Sequence, residues 1–171
     1  RSQKKFEQGW SYLQQAIAES RGVAHTLMPK AIVDFGFISA CKSLIMEFNN
    51  SVDGTIFHFN HNLADESNID KNIEVTLYRI LQEALNNVIK YANANEVNVQ
   101  LRDYNDILML TVEDDGSGFD VEEAKSSDIG FGLRSMQNRI DAISGVLEIE
   151  SAPGKGTFIV VQISKDILTE V

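Results

Sequence analysis

The sequence predicts an α+β fold: a two-layer sandwich in which a mixed, mostly antiparallel sheet is covered on one face by helices. Two observations predict it. Apolar residues recur at helical spacing through most of the first 92 positions, with one short strand-like break. Beyond residue 96 the pattern changes to alternation, interrupted once by a further helical stretch. With 171 residues, 43% of them hydrophobic, the chain can bury a core of its own.

The elements follow in order. Phe6, Trp10, Leu13, Ile17, Ser20, Ala24 and Leu27 alternate at spacings of four and three, which puts them on one narrow stripe of a helix. Such a seam calls for a partner helix, and Pro29 ends it. A second helix is expected over Ala31 to Phe48, with Phe37, Cys41, Leu44, Ile45 and Phe48 facing a core. Gly54 opens a short strand, Thr55 to Asn60. A long helix is expected over Ile69 to Ala92, with Leu77, Ile80, Leu81, Ala84, Leu85 and Val88 on its apolar face. Val97, Val99 and Leu101 form one alternating strand and Leu108, Leu110 and Val112 the next, with a hairpin loop at Asp103 to Asp106. Asp120 to Asp128 has no apolar period and reads as a mobile loop. A helix over Leu133 to Ile143 and two strands, Val146 to Glu150 and Thr157 to Ile163, complete the chain.

Bulk properties exclude some functions. A net charge of −10 argues against nucleic acid, whose phosphates are bound by dense Lys and Arg. No apolar run is long enough to span a bilayer, since Ala31 to Phe48 is broken by Asp34, Lys42 and Glu47. The lone Cys41 sits among apolar residues and reads as a core thiol. The chain begins at Arg1 without an initiator Met, so a fragment is expected.

Three polar features stand apart from the core pattern. Glu83, Asn87 and Lys90, at i, i+4 and i+7, project from one side of the long helix. A carboxylate, an amide oxygen and an ammonium in that order suit a hydrated Mg²⁺ holding phosphates, because Mg²⁺ takes oxygen ligands and keeps its waters. Asp114-Asp115-Gly116-Ser117-Gly118-Phe119 follows a strand but no second strand follows it, which disfavours a hairpin. A calcium loop is also disfavoured: with Gly116 at the loop's glycine, Thr111 stands where an Asp should begin. Gly130-Phe131-Gly132-Leu133 opens a helix, where free N–H groups attract anions, with Arg134 and Arg139 close in sequence. Gly154-Lys155-Gly156-Thr157 is no phosphate loop, since Lys155 is not followed by Ser or Thr.

Taken in order, these segments resemble the ATP-binding fold shared by sensor histidine kinases, gyrase, mismatch-repair ATPases and a large cytosolic chaperone. Leu77 to Ala92 resembles the N box, Asp115 to Gly118 the first G box, Gly130 to Leu133 the second, and Gly154 to Thr157 the closing Gly-x-Gly-Thr segment. The wording around Tyr78 to Asn87 is similar to the histidine-kinase subfamily that signals to response regulators of the nitrate-regulator type.

The resemblance implies a division at residue 29. Residues 1–29 would be the second helix of a truncated dimerisation and phosphoacceptor hairpin, and residues 30–171 the catalytic domain. It implies ATP and Mg²⁺ as cofactors, with the γ-phosphate passed to a His on a helix missing from this fragment. It further implies a response regulator as partner, a homodimer in the full-length protein, and a cytoplasmic location, with or without a membrane-anchored remainder. Asn87 would ligate Mg²⁺, Glu83 would orient water or metal, Lys90 would contact phosphate and Tyr91 would lie beside the nucleotide. Asp115 would accept the adenine amino group while Gly116 and Gly118 let backbone approach the base. Thr157 would support that pocket, and Gly130, Gly132 and Leu133 would form the closing edge over the phosphates. His25, followed by Thr26, lacks the acidic neighbour of the family's acceptor and reads as structural. An ATP-hydrolysing domain of the gyrase or mismatch-repair type, or a non-catalytic nucleotide-sensing module, are the alternative readings.

Overall fold

A computed structural model describes residues 28–64, 66, 69–124 and 128–165, with the backbone alone at 128 and 129. The Phe6 to Leu27 stripe and His25 lie outside the described residues. The elements run α1 (Lys30–Phe35), α2 (Phe37–Ser51), β1 (Ile56–His61), α3 (Lys71–Asn87) continued by a π-helical turn (Val88–Ala92), β2 (Glu96–Asp103) and β3 (Ile107–Asp114). They end with α4 (Val121–Ala124), α5 (Asp128–Asp141), β4 (Val146–Ser151) and β5 (Thr157–Ser164).

The five strands form one sheet in the order β1-β2-β3-β5-β4. β1 runs parallel to β2, as a strand returning through a helical crossover must, and every other pair is antiparallel. The expected mixed sheet is therefore present. Its inward positions are the alternating residues Val97, Val99, Leu101, Leu108, Leu110, Val112, Ile159, Val161 and Ile163, all buried. The opposite positions, such as Glu113, Glu148 and Phe158, are exposed.

Helices cover the inward face. α2 packs on β1 and α3, α3 on β3 and α5, and α5 on β4. Every apolar residue assigned to the two expected helical faces is buried, from Phe37 to Phe48 and from Leu77 to Val88. Ile80, Leu81 and Leu85 have no exposed surface at all, so truncating any of them to Ala costs about 2–5 kcal/mol. Asn49 locks α2 to the sheet: its Nδ2 donates to Phe57 O at 2.9 Å and its Oδ1 accepts the Phe57 N–H at 2.8 Å.

Three boundaries depart from the sequence expectation. The helix expected over Ala31 to Phe48 is two helices, because Gly36 at φ 82° turns the chain between them. That turn leaves Phe35 exposed and buries Phe37. The segment expected to be a structureless loop carries α4, whose first turn is capped by Asp120: its Oδ1 accepts the N–H groups of Glu122 at 2.9 Å and Glu123 at 3.0 Å. Residues 125–127 of that loop lie outside the described residues. Finally, α5 begins at Asp128 instead of Leu133, which places Gly130 and Gly132 inside the helix. Each glycine weakens a helix by roughly 1 kcal/mol, but both are buried, and the missing side chain of Gly132 lets α5 lie close against α3.

Candidate functional site

Several of the residues singled out in the sequence lie at one end of the sheet. A cavity of about 60 Å³ lies there between α3, the π turn, β3, β5 and the start of α5. Ala84, Val88, Val112 and Ile159 give it apolar walls, Asn87 and Tyr91 line one side, and Ser117, Gly118, Phe119, Leu133 and Thr157 close the rest. Among the described residues, the one carboxylate on its wall belongs to Asp114.

The two neighbouring aspartates separate for a geometric reason. Inward positions on β3 run Leu108, Leu110, Val112 and then Asp114, each two residues apart. Asp114 is thus buried at the end of the strand, only 7% exposed. Burial pushes its carboxyl above the ordinary value. Hydrogen bonds from the Gly116 N–H and from the hydroxyl and N–H of Thr157 pull the other way, and the charge of Asp115 adds to the rise. Asp114 Oδ1 accepts the Gly116 N–H at 2.9 Å.

Asp115 was expected to carry the ligand-facing carboxylate, but it does not line the cavity. Its side chain leaves the cavity and caps the start of β2, where Oδ1 accepts the N–H groups of Asn95 at 2.7 Å and Glu96 at 2.9 Å. These bonds, the Glu96 N–H first, hold its carboxyl below the ordinary value.

The glycines of this segment are set by close contact. A Cβ at Gly116 would sit 2.4 Å from the Ala92 carbonyl oxygen, although Gly116 does not itself line the cavity. Gly118, at φ 58°, leaves only 2.1 Å between such a Cβ and the Ala152 oxygen. Ser117 ties the turn to both sides. Its N–H donates to Ala92 O at 2.7 Å, its hydroxyl to Tyr91 O at 3.1 Å, and its carbonyl accepts the Gly154 N–H at 2.6 Å. The Tyr91 and Ala92 carbonyls are available to Ser117 because they are the last two of the helical segment and have no partner within it.

The other expected residues divide. Glu83 and Asn87 lie one turn apart on α3 and face α5: a Cβ on Gly132 would meet Glu83 Oε1 at 2.3 Å and Asn87 Nδ2 at 3.2 Å. Arg139 lies within reach of Glu83's charge, which opposes the lowering of its pKa by burial and by Arg79. Tyr91, Gly118, Leu133 and Thr157 line the cavity as expected. Lys90 is exposed on the π turn and does not line it. Gly130 lines a separate cavity of about 360 Å³ with Val121, Leu133, Leu147 and Ile149. Phe119, the last residue of the first glycine segment, lines the first cavity too, and Ile159 is a wall residue that the motifs did not single out. The inward alternation of β5 contained the signal for Ile159. Among the described residues, no group of three or more His, Cys, Asp and Glu side chains gathers to hold a metal, and no helix is long and apolar enough to cross a membrane.

Several known proteins resemble this chain. The chain is 32% identical over 155 residues to sensor histidine kinase ComP of Bacillus subtilis (strain 168), covering 90% of this chain and 20% of that protein. It is 37% identical over 128 residues to the signal transduction histidine-protein kinase/phosphatase UhpB of Salmonella typhimurium, covering 75% and 25%. Against the kinase/phosphatase DegS of Brevibacillus brevis it is 30% identical over 151 residues, covering 88% and 38%. The chain therefore spans less than two-fifths of the length of each of these relatives.

Two solved structures share the fold. One is the histidine kinase domain of the blue-light activated kinase of Erythrobacter litoralis EL346, with a TM-score of 0.61 at 18% identity over 78% of this chain and 65% of that one. The other is Acinetobacter baumannii histidine kinase AdeS, with a TM-score of 0.62 at 16% identity over 91% of this chain and 83% of that one. Residues 72–167 match a single family across α3, both glycine segments and the last strand. With more than half its length so matched, this chain belongs to the histidine kinase-, DNA gyrase B- and HSP90-like ATPase family.

Proposed function

We propose that the cavity receives the adenine ring of ATP and that Asp114, in place of Asp115, accepts the base's amino group. The observation that supports this reading is the Asp114 carboxylate on an otherwise largely apolar wall. A flat heteroaromatic ring with one N–H donor suits such a wall, and burial raises the worth of the single polar contact. Thr157 stands directly opposite Asp114 across the sheet and steadies it. Gly116 and Gly118 keep the turn free of side chains, so backbone approaches the base.

The phosphates would lie toward Glu83, Asn87 and the start of α5. A carboxylate and an amide oxygen one turn apart fit Mg²⁺, which supplies charge neutralisation to the phosphates when bound. Asn87 serves as ligand and Glu83 as ligand or water-orienting base. Lys90 reaches from the π turn toward phosphate, Tyr91 flanks the nucleotide, and the backbone of Gly130, Gly132 and Leu133 closes the phosphate side. The printed names of the relatives support a sensor histidine kinase as the parent protein. In that setting the domain passes the γ-phosphate to a His on a dimerisation helix. The parent would act as a cytoplasmic-facing homodimer, with a response regulator as the next partner.

Calorimetry with Mg-ATP tests the base assignment. Asp114→Asn should weaken ATP binding at least about tenfold, since a charge-assisted hydrogen bond is lost; unchanged affinity would sink it. Radiolabelled ATP incubated with the chain and an added His-bearing helical hairpin tests the kinase reading. Label on the hairpin supports transfer, whereas release of free phosphate alone favours hydrolysis.

A further inference from the structure

Ser151 ends β4, and no motif pointed to it. Three directly opposed residues form one row across β3, β5 and β4: Asp114 pairs with Thr157, and Thr157 pairs with Ser151. The row closes the sheet beneath the cavity, with Ser151 as its outermost member.

The Ser151 hydroxyl joins three backbone or side-chain groups that belong to different walls. It donates to Gly156 O at 2.8 Å and accepts the Phe119 N–H at 2.9 Å. It also lies 3.3 Å from the Thr157 hydroxyl oxygen. Phe119 and Thr157 both line the cavity, whereas Ser151 does not. A hydroxyl carries a single proton. With Ser151's proton committed to Gly156, the Thr157 proton has two acceptors, Ser151 Oγ on one side and the Asp114 carboxylate on the other. Ser151 therefore governs which way the Thr157 hydroxyl points, and it fixes the backbone of Phe119 through a separate bond.

We infer that Ser151 is a positioning residue for nucleotide binding: through Thr157 and Phe119 it sets how strongly the site distinguishes a purine bearing a 6-amino group from one without it. This rests on the assignment of Asp114 to the adenine amino group. Loss of the Ser151 hydroxyl leaves the Phe119 N–H and the Gly156 carbonyl short of a partner. It also leaves the Asp114 carboxylate to take the Thr157 proton, which then competes with the base's amino group for that carboxylate, while the ring wall at Phe119 loses its anchor.

The test compares two substitutions of nearly equal shape. Ser151→Thr keeps the hydroxyl and Ser151→Val does not, while both suit a strand end. Binding of ATP and of purine riboside triphosphate, which lacks only the 6-amino group, is measured for each. The unsubstituted chain should prefer ATP by about tenfold or more. Ser151→Val should narrow that preference about three- to tenfold, and Ser151→Thr should keep it. A Ser151→Val protein with the full preference, or one that loses both nucleotides equally, would overturn the inference. If Ser151→Val does not fold by thermal melt, Ser151→Ala takes its place with the same criteria. Asp114→Asn runs in parallel. If it retains the preference for ATP, the adenine assignment itself is wrong; if it loses the preference while Ser151→Val keeps it, only the role of Ser151 fails.

Discussion

Asp114 and Asp115 are consecutive, yet their carboxylates lie on opposite sides of the β3 backbone: the first accepts the Gly116 N–H beside the cavity, the second accepts the Glu96 N–H at the outer end of β2. One carboxylate lines the cavity and the other ties the end of β3 to the start of β2.

Removing the outer carboxylate should therefore affect the fold and spare the ligand. Asp115→Ala is expected to leave ATP affinity within about twofold of the unsubstituted chain. It should lower the melting temperature by about 2–4 °C, the scale of a weakened hydrogen-bond cluster in a domain of this size. Calorimetry and thermal melts check the two halves, and a large loss of ATP affinity would restore Asp115 to the site.

The two carboxyls also predict opposite pH behaviour. Asp114 is raised above its ordinary 3.8, so the folded chain holds that proton more tightly than the unfolded chain does. Its contribution to stability is full below pH 3.8 and is lost as pH rises through the raised value. Asp115 is lowered, so its contribution is present above pH 3.8 and is lost as pH falls through the lowered value. Denaturant titrations at several pH values should accordingly show Asp114→Asn as stable as the unsubstituted chain, or more so, at pH 7. Asp115→Ala should be less stable at pH 7, with the deficit closing in acid. A destabilised Asp114→Asn at pH 7 contradicts a net cost of burying that carboxylate's charge.

Two glycines of the β4–β5 loop should respond unequally. Gly154 and Gly156 both have positive φ, at 77° and 72°. A Cβ at Gly154 meets nothing within 4 Å, whereas one at Gly156 would lie 2.0 Å from the Asp114 carbonyl oxygen. Gly154→Ala should cost about 1–2 kcal/mol, the left-handed backbone alone. Gly156→Ala must also displace the β3 terminus and should cost more than that and weaken ATP binding. Equal denaturation midpoints for the two would remove this distinction.

Gly132→Ala should separate stability from ligand binding. The methyl would press on Glu83 Oε1, the far end of a flexible side chain, so the carboxylate can turn aside. Helix α5 gains about 1 kcal/mol of propensity. The expected outcome is an unchanged or higher melting temperature with weaker Mg²⁺-dependent nucleotide binding. Unaltered magnesium dependence would show that Glu83 and Asn87 do not act at the phosphate end.

The layers and most of the core were legible because each apolar position repeats at a fixed period. Leu77 to Val88 on α3 and Val97 to Leu101 on β2 are examples. The carboxylate that lines the cavity belongs to Asp114 and not to Asp115, and periodicity points to it where the motif does not. Counting by two from Leu108 reaches Asp114, whereas matching Asp115 to the glycines that follow it overrides that count. The Gly36 break and the early start of α5 were hidden for another reason. Both depend on tertiary packing: the burial of Phe37 in one case, and the approach of Gly132 to Glu83 in the other. Helix propensity argues against placing glycines there. Ser151 was invisible because its partners, Phe119, Gly156 and Thr157, come together only when the sheet closes.

The π turn at Val88–Ala92 has an arithmetical consequence. A widened turn behaves as a helix holding one residue too many, and each residue of an ordinary helix advances the side-chain direction by about 100°. Deleting Ile89, which faces solvent, would restore regular winding and leave every residue upstream in place. It would also swing Tyr91 and the Ala92 carbonyl away from Ser117 by that angle. The same helix would survive as a helix while ceasing to be one wall of a cavity.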